Sequence, residues 1–183
     1  MTLRTLATVL VLSSFAALLG CSEAPSDARV GILAPSSSEH AFGQVADMLE
    51  HRCGSLDCHG QPTRNLRIYG CEGMRLSLDN VSICNKTKGG QPTTIPEHQA
   101  TYRSLVGLEP TVMSEVVANH GRDPELLTFI RKARGTEAHK GGQLFTPGDD
   151  QDTCVTSWLA GRTDLTACGN ALGLPSFPDL PTQ

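Results

Sequence analysis

Seven cysteines in 183 residues constrain this chain more than any other feature. That density is unusual for a reduced cytosolic domain and points to an oxidising compartment, where thiols pair. The N-terminus agrees. Arg4 precedes an uncharged run from Thr5 to Gly20, a short basic region plus an apolar stretch of the length that export machinery reads. A bilayer-spanning helix needs about 20 apolar residues, and this run closes in small ones instead.

The run ends Leu18-Leu19-Gly20-Cys21, which resembles the lipobox of bacterial lipoproteins. The resemblance implies a signal peptide over 1–20 and cleavage before Cys21, which becomes acylated on its sulfur and its new amine. Several acyl chains anchor stably where one binds only marginally. Ser22, rather than Asp, in the next position resembles lipoproteins sent to the outer membrane, which implies a domain facing the periplasm of a bacterial envelope. Residues 21–38 are rich in Ser, Ala, Pro and Asp and read as a flexible tether. The folded domain is expected over 39–168. The segment 169–183, with three prolines, reads as a tail along the surface.

Charge and composition exclude several classes. With 15 Lys+Arg against 19 Asp+Glu the net charge is −4, and no basic cluster offers a nucleic-acid face. Aromatics are 4% of the chain against 18 glycines and 11 prolines, so the core is small and the loops many. Length and composition together exclude a large β-sandwich and an eight-stranded α/β barrel. No Gly-x-Ser-x-Gly, His-Glu-x-x-His or glycine-rich phosphate loop occurs, and the chain is not expected to be an enzyme. Asp149, Asp150 and Asp152 cluster where a helix should start, which capping and the helix dipole explain.

Helical spacing of Phe42, Val45, Met48 and Leu49 predicts a first amphipathic helix over 40–52. A weakly alternating stretch at 64–78, broken by Gly70 and Gly73, reads as a short extended turn, and 85–96 as a loop. Further helices are expected over 97–106, from Pro110 to before Gly121, from Asp123-Pro124 to Gly135, and from Asp149 or Asp150 to Gly161. The fold class is therefore mostly α: three to five short helices joined by long loops.

After the first helix comes Cys53-Gly54-Ser55-Leu56-Asp57-Cys58-His59-Gly60. Two cysteines with a histidine directly after the second suit covalent haem. The sulfurs add to two vinyl groups and the imidazole approaches the iron. The usual spacing has two residues between the cysteines and this chain has four. Two other readings use the same residues: a local Cys53–Cys58 disulfide beside an exposed His59, or a zinc site lacking an obvious fourth ligand.

The first helix leading into this motif, and a capped last helix carrying Trp158-Leu159-x-Gly161, resemble the N- and C-terminal helices of monohaem class I cytochromes c. In that family a Met in the loop before the last helix commonly completes the iron. No Met follows Glu115, and the loop holds Glu137-Ala138-His139-Lys140-Gly141-Gly142. This is similar to the H-x-G-G element of some bacterial cytochrome c-like domains. The resemblance implies one haem c, with Cys53 and Cys58 as anchors, His59 as the proximal ligand and His139 as the distal one. Met113 reads as core and Met74 has nothing in its favour. His98 and His120 read as solvated, and His51 lies too near the end of the first helix to reach an iron from the far side.

Four cysteines remain after Cys21, Cys53 and Cys58: Cys71, Cys84, Cys154 and Cys168. Pairing Cys71 with Cys84, and Cys154 with Cys168, closes two loops of about 15 residues, each contributing about 3 kcal/mol. Two functions follow from the sequence. One is a lipid-anchored cytochrome passing single electrons between redox partner proteins of the envelope. The other is a cofactor-free, disulfide-stabilised lipoprotein module for binding or structure.

Overall fold

The computed structural model describes residues 31–77 and 91–173. The leader, Cys21, Cys84 and the end of the tail lie outside the described residues. Among the described residues six α-helices follow in order: α1 Glu39–Cys53, α2 Ile95–Val106, α3 Pro110–Ala118, α4 Thr128–Ala133, α5 Asp150–Leu159 and α6 Leu165–Ala171. A single 3-10 turn, Pro124–Leu126, precedes α4. Extended pairing among the described residues amounts to two isolated bridges, Ser55 with Gly73 and Tyr69 with Met74. The mostly α expectation holds.

Helix α1 starts at Ser38, whose hydroxyl accepts from the Ala41 N–H. Its apolar stripe is fully used: Phe42, Val45 and Met48 are 0% exposed and Leu49 3%. The stripe packs on α2, α5 and α6. At the crossing with α5 the rings of Phe42 and Trp158 lie 4.9 Å apart, and Phe42 meets Tyr102 of α2 edge-on at 5.3 Å. Few aromatics suffice because they share one cluster, where edge-to-face and tilted pairs add to burial.

The segment just before α1, expected within the tether, is fastened along its described part. The Tyr102 hydroxyl donates to the Pro35 carbonyl at 2.7 Å. The Trp158 indole donates to Ser36 at 2.9 Å, and the Gln99 amide to Ser37 at 2.5 Å.

Three further departures have local causes. The helix expected from Asp123 to Gly135 is split, because Asp123 is left-handed (φ 52°) and Leu127 extended. The Glu109 carboxylate then takes the N–H and hydroxyl of Thr128 at 2.7 and 2.9 Å, starting α4 afresh. The boundary placed at 168 falls inside α6, which Asp164 caps through the Ala167 N–H at 2.9 Å. A disulfide joins Cys154 of α5 to Cys168 of α6, so it ties two helices rather than a helix to a loose tail. Cys71 is also disulfide-bonded, while its expected partner Cys84 lies outside the described residues. Lastly, His98 is 6% exposed rather than solvated. Its two nitrogens meet Glu39 at 2.7 Å and Asp47 at 2.9 Å, and burial is outweighed by these carboxylates, which hold its pKa up at about 9.

No helix among the described residues is long and apolar enough to cross a membrane.

Candidate functional site

Cys53 is the last residue of α1, and Gly54 caps the helix with its N–H on the Glu50 carbonyl at 2.7 Å. The four-residue spacer then folds into a closed turn. The N–H groups of Cys58 and Gly60 both donate to the Ser55 carbonyl, at 2.9 and 3.0 Å, and His59 N–H returns to the Cys53 carbonyl at 2.9 Å. Gln61 donates to the Leu56 carbonyl at 2.8 Å. Arg64 reaches the carbonyls of Cys58 (3.0 Å) and Asp57 (3.3 Å). The Ser55 carbonyl is thus satisfied by backbone N–H groups, and those of Leu56 and Asp57 by side chains a few residues downstream, which makes the spacer a built turn.

Backbone crowding explains the glycine after the histidine. A Cβ on Gly60 would lie 1.9 Å from the Gly54 carbonyl oxygen, and so would one on Gly73. The chain passes through a gap that only glycine fits.

His59 is oriented by its Nδ1, which lies 3.0 Å from the Leu66 carbonyl. A carbonyl only accepts, so Nδ1 carries the proton and Nε2 keeps its lone pair. Burial lowers the His59 pKa and positive charge at His139 and Arg64 adds to this, against the opposing Leu66 carbonyl. The ring is therefore held neutral, as a metal ligand must be.

Facing His59 is His139, from the loop between α4 and α5. The two ring centroids are 6.0 Å apart and their planes 20° from parallel. His139 places its own Nδ1 3.4 Å from the Gly142 carbonyl, a long contact of the same kind. A Cβ on Gly141 would sit 2.9 Å from the His139 ring, so glycine is needed beside it.

Cys53, Cys58, His59 and His139 line one cavity of about 590 Å³, within the range of about 300–1,000 Å³ typical of small-molecule sites. Its walls are largely apolar, with Leu49, Leu66, Leu108, Phe129, Ala133 and Phe145, while Arg64, Lys132 and Lys140 bring positive charge and Asp57 and Glu109 negative charge. Cys53 and Cys58 are free thiols, not joined to each other. Burial pushes the Cys53 thiol up to about 12, with Cys58 adding and Arg52 opposing, so it is an uncharged thiol rather than a reactive thiolate.

The described residues contain no group of three or more His, Cys, Asp or Glu arranged to hold a metal ion. The donor set suits two axial positions on a metal whose other ligands arrive with a cofactor, and the apolar walls with cations suit a flat apolar group bearing carboxylates. The residues present therefore fit a haem.

The other candidates lie elsewhere. Met113 is 1% exposed in the core. Met74 pairs with Tyr69, His51 contacts Glu72 at 3.3 Å, and His120 is exposed with φ 55°. The sequence reading missed Arg64 and the Leu66 carbonyl, since a backbone acceptor and an arginine in a loop leave no motif. No family model, no curated protein and no solved structure matches this chain.

Proposed function

We propose that this protein is a membrane-anchored, monohaem c-type cytochrome that transfers single electrons in the bacterial envelope. The observation that carries the reading is the opposition of His59 and His139 across a cavity that also takes Cys53 and Cys58. A ligating imidazole nitrogen sits about 2 Å from its metal and the ring centre roughly 1 Å behind it, so two imidazoles on one metal have centroids about 6 Å apart. The 6.0 Å separation of the two rings agrees with this.

Covalent haem supplies reversible one-electron exchange at its iron. The chain holds and tunes it. Cys53 and Cys58 provide the two sulfurs for thioether attachment. His59 offers Nε2, with the Leu66 carbonyl fixing the tautomer and raising ring basicity. His139 would offer the second imidazole to the same metal. The Leu and Phe walls exclude water and keep the site apolar, and Arg64, Lys132 and Lys140 can face carboxylates. Tethering through Cys21 would keep the domain at the membrane surface, where soluble or membrane-bound redox proteins are its partners.

The reading is tested by expressing the full chain with cytochrome c maturation machinery and extracting it with acid-acetone. Retained colour, with sharp α and β bands on reduction, is the expected result. A colourless protein would overturn it and leave the cofactor-free module.

A further inference from the structure

His59 rests on a densely bonded turn, whereas His139 rides on a loop with little packing of its own. The chain leaves α4 at Ala133 and returns to the same carbonyl, which accepts from Leu144 N–H at 2.8 Å and Phe145 N–H at 2.9 Å. Between these points the excursion has the closed ends of an Ω-loop. None of the side chains from Thr136 to Gln143 is buried, so apolar packing does not hold the loop down. Gly142 is left-handed at φ 70°, next to the turn in which its N–H meets the His139 carbonyl at 3.0 Å.

The loop's first residues stay on α4, where the N–H and hydroxyl of Thr136 donate to the Arg131 carbonyl at 3.0 and 3.2 Å and the Glu137 N–H reaches it at 3.3 Å; nearer His139, the Glu137 side chain makes the tie to the body. The Glu137 carboxylate spans two cations of α4, Arg131 Nε at 2.9 Å and Lys132 Nζ at 3.0 Å. Lys132 also donates to the carbonyl of Ala138, the residue before His139, at 3.1 Å. Arg131 is a fixed post: it donates to the carbonyls of Glu125 (2.9 Å) and Leu126 (2.7 Å) and to the Thr128 hydroxyl (2.8 Å). The body of the domain is held by other contacts, such as the Arg134–Asp152 pair at 2.8 Å.

We infer that Glu137 is the positioning residue for His139: its clasp on Arg131 and Lys132 holds the 136–143 loop closed over the cavity. Release of the clasp swings His139 away and uncovers the face opposite His59 to a small neutral ligand. This rests on the function proposed above, because His139 matters only if it faces a bound metal. Single exposed ion pairs are weak, but two sharing one carboxylate, with a backbone bond beside the histidine, add to the Thr136 and Glu137 bonds on the Arg131 carbonyl and bias the part of the loop that carries His139.

The test compares the full chain with its Glu137→Ala variant by two readouts. The first is amide hydrogen exchange of the peptide covering 136–143, which needs no haem. It should exchange about tenfold faster in Glu137→Ala, while α1 and α5 peptides and the melting temperature stay unchanged. The second is the rate at which the reduced, haem-loaded protein binds carbon monoxide. The wild-type rate should level off at high ligand concentration, limited by loop opening, and Glu137→Ala should raise that limit about tenfold. Glu137→Gln, which keeps the shape but loses the charge, should fall between. His139→Ala should bind without levelling off. Unchanged loop exchange in Glu137→Ala overturns the clasp. Faster loop exchange with unchanged ligand binding shows a clasp that does not position His139, and also overturns the proposal. If His139→Ala binds carbon monoxide no faster than wild type, His139 is not the ligand. Absence of haem would defeat the functional reading, while the exchange arm still decides whether Glu137 fastens the loop.

Discussion

The imidazoles of His59 and His139 stand 6.0 Å apart with planes 20° from parallel, each with Nδ1 turned to a backbone carbonyl. With Nδ1 turned to a carbonyl, each ring keeps its lone pair on Nε2, and both residues line the same cavity. Two rings fixed in the same tautomer from unconnected segments are suited to ligate one centre from opposite sides.

If His139 is an axial ligand, its chemistry sets the potential. His139→Met should raise the midpoint potential, because thioether favours the reduced iron, by an amount within the about 0.8 V range that axial ligands span. Redox titration of the holoprotein checks this. An unchanged potential would remove His139 from the iron.

Arg64 holds the four-residue spacer in shape through the carbonyls of Asp57 and Cys58. Arg64→Ala should destabilise the fold by about 2 kcal/mol, the size of one bond from a charged donor, since the Cys58 bond is half-buried and the Asp57 bond is exposed to water. It should also lower the yield of covalent haem, because Cys58 and His59 lose their register. Arg64→Lys should rescue little, since an ammonium lacks the fork. Urea unfolding and the haem-to-protein absorbance ratio are the measurements.

His98 predicts a pH dependence. Its folded pKa of about 9 lies above the unfolded value of about 6.5, so the stabilisation is complete below pH about 6.5 and is lost as pH rises through about 9. The shift corresponds to roughly 3 kcal/mol at most. The Glu39 and Asp47 side chains are each 43% exposed, and solvent screening brings this to about 1–2 kcal/mol. Melting temperature measured from pH 6 to pH 10 should fall across this window, and His98→Gln should flatten the fall.

The Cys154–Cys168 disulfide joins α5 to α6 beneath the α1 crossing. Replacing both residues by Ser should cost about 2–5 kcal/mol and free the chain after Gly161 first. Limited proteolysis should then cut between α5 and α6 well before α1 is touched.

How much of this was legible depended on whether the cause was local. The α1 stripe of Phe42, Val45, Met48 and Leu49 was legible because burial repeats at helical spacing, and the Asp149 cap of α5 because a cap is a local signal. Helix α6 was not, since Gly169 lies inside it and the stabilising link from Cys168 comes from the preceding helix. His98 was misjudged because its partners come from α1, far away in sequence. For the site, Cys53, Cys58 and His59 announce themselves as a motif, and His139 was placed through the resemblance and the lack of a competing Met. The carbonyl of Leu66 and the fork of Arg64 act through tertiary geometry, which no spacing encodes.

The most direct test of the account is the mass of the peptide carrying Cys53 to His59 from protein matured in an exporting bacterium. The account predicts that this peptide gains one haem, bonded through both sulfurs, and that His59→Ala reduces the amount formed. A peptide at its unmodified mass, or two hydrogens lighter as a Cys53–Cys58 disulfide, would contradict it.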